Sequence, residues 1–118
     1  TESALKTLLR DVIDSDSANN ITVDRVQRIV ATHYDLRVSD LTGPRRPKNI
    51  QEARQVAMFL TRSLTNLPMV EIGNEFGGRS HHAVSEACHY VTGLVKSSKD
   101  FRRAVGVLAD QIIEGRAD

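Results

Sequence analysis

Pro68-Met69-Val70-Glu71-Ile72-Gly73-Asn74-Glu75-Phe76-Gly77-Gly78-Arg79-Ser80-His81-His82-Ala83-Val84 is the stretch on which the fold turns. Pro68 suits the first position of a helix, where its missing N–H is no loss. Met69, Ile72 and Phe76 then fall on one face of a short helix. Gly77-Gly78 permits positive φ and closes it with a tight reversal. Ser80 is a good N-cap for a longer helix, whose apolar positions run through Ala83, Val84, Ala87, Cys88, Val91, Leu94 and Val95. Short helix, glycine turn and long helix together read as helix-turn-helix. Any helical protein has corners of this kind. The first turn of the second helix sharpens the reading, because Arg79-Ser80-His81-His82-Ala83 packs donors and acceptors where a recognition helix meets base edges. Free amides at that end favour a phosphate, and the small Ala83 permits close approach.

Working outward, every strong period is helical. Leu5, Leu8, Leu9, Val12 and Ile13 form one stripe and predict a helix over about Glu2 to Asp14. Residues 15–20 are polar and turn-forming and read as a linker. Thr22 is the expected N-cap of a helix carrying Val26, Ile29 and Val30 inward and ending near Tyr34, with His33 and Tyr34 packing at the core edge. Val38-Ser39-Asp40-Leu41 predicts one helical turn capped at Ser39. Gly43-Pro44-Arg45-Arg46-Pro47-Lys48-Asn49 reads as an irregular basic loop, since two prolines flank two arginines. Helix resumes over Ile50 to Leu64, with Val56, Ala57, Leu60 and Leu64 inward and Arg54 and Arg62 off that stripe. A last helix is expected over about Lys99 to Ile113 after the Ser97-Ser98 boundary. The expected architecture is all-α, with six or seven helices: a connector over 1–20 and a helix-turn-helix domain over 21–118.

Length and composition bound the function. One domain of 118 residues can bury a core without disulfides or metals. Aromatics make up only 4% of the chain, too few for a base-stacking platform on single strands. The one cysteine, Cys88, cannot form an internal disulfide or a multi-thiolate zinc site, which fits a reducing compartment. No apolar run is long enough to span a membrane, so no membrane insertion is expected. The opening residue is Thr1 rather than Met, and the chain is expected to be a piece of a longer polypeptide. Net charge is +1, but residues 37–66 hold six basic side chains (Arg37, Arg45, Arg46, Lys48, Arg54, Arg62) against Asp40 and Glu52. An anionic partner is expected to meet the protein there.

The sequence resembles the C-terminal DNA-binding domain of the DnaA family of bacterial chromosomal replication initiators. The matching stretches are Ile21-Thr22-Val23-Asp24-Arg25-Val26-Gln27, Val38-Ser39-Asp40-Leu41, Arg45-Arg46, Ala53-Arg54-Gln55-Val56-Ala57-Met58, Leu64-Thr65-Asn66, Glu71-Ile72-Gly73 and Phe76-Gly77-Gly78-Arg79 followed by His81. They cover about residues 21–95 in family order and spacing. The resemblance implies a TrpR-like helical bundle that binds double-stranded DNA, with the first helix as the connector from an upstream ATPase domain. Arg46, beside Arg45, resembles the basic-loop arginine that enters the minor groove of an asymmetric nine-base-pair site, the DnaA box. Arg62 resembles a DNA-contacting residue of the helix before the turn, and Thr65 and Asn66 resemble backbone-contacting residues. Arg79 and His81 resemble members of the major-groove recognition motif. The resemblance further implies one monomer per site, assembly through upstream domains, ATP bound only outside these residues, and a bacterial cytoplasmic setting on the nucleoid.

Departures from the family pattern fall on the reading residues. The family motif Gly-Gly-Arg-Asp-His-Thr-Thr-Val stands here as Gly77-Gly78-Arg79-Ser80-His81-His82-Ala83-Val84. Aspartate only accepts, as from a cytosine amine, whereas Ser80 can donate or accept. His82 and Ala83 replace threonines whose methyls can meet thymine methyls. Pro68 stands two positions before the family proline, where Val70 now sits. Affinity for DNA is expected to survive, and the preference for the usual box is the property put in question. Expected phosphate contacts are Lys48, Arg62 and helix N-termini, with residues 79–82 reading the major groove. Competing readings are a transcriptional regulator that uses this domain with altered specificity, a protein-interaction module, and an enzyme. No constellation supports the enzyme: His81, His82 and Cys88 are no metal set because Cys88 should face the core, no third group orients a Cys88–His pair, and Gly77-Gly78-Arg79-Ser80 is no P-loop.

Overall fold

The computed structural model describes residues 21–44 and 47–115. Six helices are described: α1 (Val23–His33), α2 (Val38–Thr42), α3 (Lys48–Leu64), α4 (Met69–Glu75), α5 (His81–Ser97) and α6 (Lys99–Glu114). No strand occurs among the described residues. The all-α expectation is met. The helix expected over Glu2 to Asp14, the linker at 15–20, Arg45 and Arg46 lie outside the described residues.

Cap chemistry sets most helix ends. Thr22 accepts the amide of Arg25 at 3.1 Å, Ser80 that of Ala83 at 3.2 Å, and Ser98 that of Phe101 at 3.2 Å. Each hydroxyl satisfies one of the four donors a helix start leaves over. Gly115 ends α6 at φ 79°. Three details differ from the sequence reading. Arg37, not Ser39, is the N-cap of α2, because the Asp40 carboxylate reaches back to accept the Arg37 amide at 3.0 Å. Pro68 is the N-cap of α4 rather than its first helical residue. Finally, α3 begins at Lys48, so Lys48 and Asn49 are helical and not loop. Pro47 needs no amide partner, and its carbonyl accepts from Ile50 and Gln51, both at 3.0 Å.

α5 packs most extensively on α3, with α1, α4 and α6 around that pair. Phe76, Ile29, Leu41, Leu60, Ile72, Leu108 and Ile112 are fully enclosed, and Cys88 joins this core as expected. Burial raises the Cys88 thiol pKa, and the nearby Arg62 charge partly offsets the rise. Tyr34 lies at the core edge, its ring edge-on to His33, and donates to Glu52 at 2.8 Å; burial and then Glu52 raise its pKa.

Long polar side chains bind the helix C-termini. Arg25 of α1 donates to the Ile112 carbonyl at 3.0 Å, placing a cation at the negative end of α6. Gln27 donates to the Glu75 carbonyl at 2.9 Å, closing α4. Arg54 corrects the reading that set it off the α3 core stripe. It is 6% exposed, and it donates to the carbonyls of Leu41 at 2.8 Å, Asp40 at 3.0 Å and Gly43 at 3.1 Å. The end of α2 leaves these oxygens without helical partners, and one guanidinium meets all three. Arg54→Met, of similar length, is therefore expected to lower the unfolding free energy by about 3 kcal/mol, through carbonyls left dry and unpaired. Denaturant melts of the two proteins check this.

The turn between α4 and α5 gives a sharper expectation. The Gly73 carbonyl accepts the amides of Phe76 at 3.1 Å, Gly78 at 3.1 Å and Arg79 at 2.9 Å, with Gly77 and Gly78 at φ 85° and 79°. A Cβ on Gly77 would lie 2.0 Å from the Thr42 carbonyl oxygen, whereas one on Gly78 would meet nothing within 4 Å. Gly78→Ala should therefore cost only the left-handed backbone term, about 1–2 kcal/mol. Gly77→Ala adds a backbone collision and should cost clearly more. Equal melting shifts for the two would contradict the packing described.

Candidate nucleic-acid interface

Two elements separated in sequence meet at one carbonyl. The Gly43 oxygen, where α2 gives way to the basic loop, accepts from Arg54 of α3 and also from Arg79 Nη2 at 2.8 Å. Arg79 Nη1 donates to the Phe76 carbonyl at the end of α4. The Gly77 backbone sits against Thr42, as the space at that glycine shows. The root of the basic loop is thus seated on the turn of the helix-turn-helix. A cleft of ≈ 460 Å³ opens at the seam, lined by Thr42, Gly43, Pro44, Gln51, Arg54, Gly77 and Arg79. Burial, and secondarily the charge of Arg79, lower the pKa of Arg54. Two cations held at one seam make it a favourable place for an anion.

The start of α5 stands next to this seam. Ser80, His81 and His82 are exposed and Ala83 is half-buried. The two imidazoles lie one against the other, ring centroids 4.3 Å apart and planes inclined by 33°. Ser80 Oγ is already an acceptor for the Ala83 amide, so its proton remains for donation outward. At the far end of the loop, Lys48 is exposed on the first turn of α3.

The remaining expected contact residues cluster at the other end of α3. Arg62 is exposed, and its charge is felt at Cys88 of α5, which places it alongside that helix. Thr65 is half-buried; its hydroxyl donates to the Thr61 carbonyl at 2.6 Å and accepts the Leu67 amide at 3.3 Å. It thereby closes α3 and shapes the run into Pro68. Asn66 is exposed beside it. Arg79 departs most from the sequence expectation, since its guanidinium fork faces backbone carbonyls of its own chain.

The sequence reading missed the carbonyl-binding work of Arg25, Gln27 and Arg54. For Arg54 a signal existed: it lies four residues after Ile50 and three before Ala57, on the buried face, and its charge argued against its spacing.

Comparison with known proteins agrees with this geometry. The family described as bacterial DnaA protein helix-turn-helix matches residues 23–91, from the first residue of α1 into α5. The chain is 34% identical over 113 residues to the chromosomal replication initiator protein DnaA of Treponema denticola, covering 96% of this chain and 24% of that protein. It thus spans about a quarter of the length of that curated relative. With the match laid over the same helices and turn, the chain belongs to the bacterial DnaA helix-turn-helix family, an all-α family of DNA-binding domains.

Proposed function

We propose that this domain binds double-stranded DNA sequence-selectively, at sites like the DnaA box of a replication origin, and serves the initiation and regulation of chromosomal replication. The observation that carries the reading is the shared Gly43 carbonyl, which sets the loop root against the turn that launches α5. A duplex lying across the seam meets both at once. Arg46, one peptide from Pro47, would enter the minor groove, with Arg45 beside it. Lys48, Arg62, Asn66 and helix N-termini would hold phosphates and fix position, and Thr65, once its hydroxyl turns from the Thr61 carbonyl, would join them. Ser80, His81, His82 and Ala83 would face major-groove edges. The domain acts by binding rather than catalysis, and any ATP would bind elsewhere in a full-length family protein. One monomer would occupy one asymmetric site, in the bacterial cytoplasm on the nucleoid, with assembly through other domains.

The exchanged reading residues predict a shifted base preference. Ser80 offers a donor and so favours acceptor edges, such as guanine N7 and O6 or thymine O4. These exchanges also support a second reading, a transcriptional regulator using the same domain. Genome-wide binding with peaks at the origin would favour the initiator; peaks confined to promoters would favour the regulator.

With about five phosphates neutralised, the logarithm of affinity should fall against the logarithm of salt with a slope near −4 to −5. Arg46→Ala should weaken duplex binding by about 1–3 kcal/mol. Undiminished affinity in a titration would remove Arg46 from the interface. Selection of bound duplexes from a random pool should return a consensus that differs from the family box. The triple change Ser80→Asp, His82→Thr and Ala83→Thr should move that consensus back toward the box. An absence of any enriched sequence would reject direct readout.

A further inference from the structure

We propose that Arg79 is a positioning residue, which clamps the root of the basic loop to the turn so that the minor-groove and major-groove contacts are made in one fixed register. The inference rests on the duplex-binding reading above and deepens it. By sequence, Arg79 heads the recognition motif and would be one more group reading bases. In the fold, its guanidinium is half-buried and bridges two backbone points on different elements, Gly43 beyond α2 and Phe76 at the end of α4. The two acceptors are 33 positions apart in the chain, so the fork ties separate segments rather than closing a local turn.

Three observations make this a clamp and not an incidental contact. First, Arg54 holds the same Gly43 oxygen from α3, at 3.1 Å, so the loop root is gripped from two sides. Second, Gly77 supplies the room: a Cβ there would lie 3.0 Å from Arg79 Nη1 as well as striking the Thr42 carbonyl. Third, the planar fork reaches both carbonyls at once, which a single ammonium on a flexible stem cannot reproduce. The other end of the loop is fixed by Pro47 at the start of α3. The two anchors, Gly43 and Pro47, stand four positions apart in the chain, so the geometry at each bears directly on the loop between them. With Gly43 released from Arg79, Arg54 alone holds it, and the loop root is no longer tied to the turn before α5.

A double-mutant cycle with Arg46→Ala separates positioning from contact. Arg46→Ala alone should weaken duplex binding about fivefold or more. In an Arg79→Ala background the same change should weaken it less than threefold, because a loop root untied from the turn no longer presents its arginine in register with α5. Losses that multiply would overturn the clamp and make Arg79 a contact in its own right. Arg79→Lys keeps the charge and loses the fork, so it should lose as much affinity as Arg79→Ala; wild-type affinity in Arg79→Lys would also overturn the proposal. Hydrogen exchange of the free protein gives a readout without DNA. Arg79→Lys should speed exchange in segment 42–48 while α5 amides from Val84 to Val91 stay protected, and unchanged exchange in 42–48 would refute the clamp. If Arg46→Ala binds normally while the exchange effect is present, the duplex reading of Arg46 fails and the clamp stands.

Discussion

One carbonyl oxygen, that of Gly43, ties the root of the basic loop to the turn before α5. Two guanidiniums converge on it, one from the middle of α3 and one from the doorstep of α5. Left unpaired in that partly buried setting, such an oxygen would cost about 1–3 kcal/mol. Bound twice, it fixes where α2 ends and where the basic loop departs. That junction sets where the loop departs and what the start of α5 stands beside. The loop leaves from it, α3 resumes at Pro47, and α5 starts beside it from Ser80. Burial chiefly, and the Arg79 charge secondarily, lower the pKa of Arg54.

The same device recurs around the domain. Arg25 closes α6, Gln27 closes α4 and Arg54 closes α2, each by donating to carbonyls that a helix end leaves over. Short helices need this help, because a five-residue α2 or a seven-residue α4 satisfies few of its own groups. The core beneath is assembled from small aliphatic side chains around Phe76. Rigid helix ends over a tight core suit the proposed surface, whose groups would meet two grooves of a stiff duplex together.

Much of the architecture was legible in the sequence for simple reasons. Thr22, Ser80 and Ser98 cap where their short hydroxyls predict, and Gly77-Gly78 turns with positive φ as glycine allows. The apolar period placed α1, α3, α5 and α6 to within a few residues. What sequence could not give was the destination of long charged side chains. Arg54 and Arg79 carry the same charge as the exposed Arg62, yet only the fold reveals dry carbonyls within their reach. Pro47 misled in a related way: a proline lacks an N–H to donate, which does not forbid a helix beginning at the next residue. Ser80 was legible as a cap, and its hydroxyl accepts the Ala83 amide as its position predicts.

The central claim is that the loop flank and the head of α5 address a single duplex together. Cutting DNA from tethers tests it directly. The native Cys88 is 4% exposed, with a thiol pKa raised by burial, so an iron–chelate reagent can be directed to cysteines introduced singly at Lys48 and at His82. The account predicts that both tethers cleave the same bound duplex within one helical turn of each other. The strand offset should mark a minor groove for the tether at 48 and a major groove for the tether at 82. Cleavage from one tether with silence from the other, or the same groove signature from both, would contradict it.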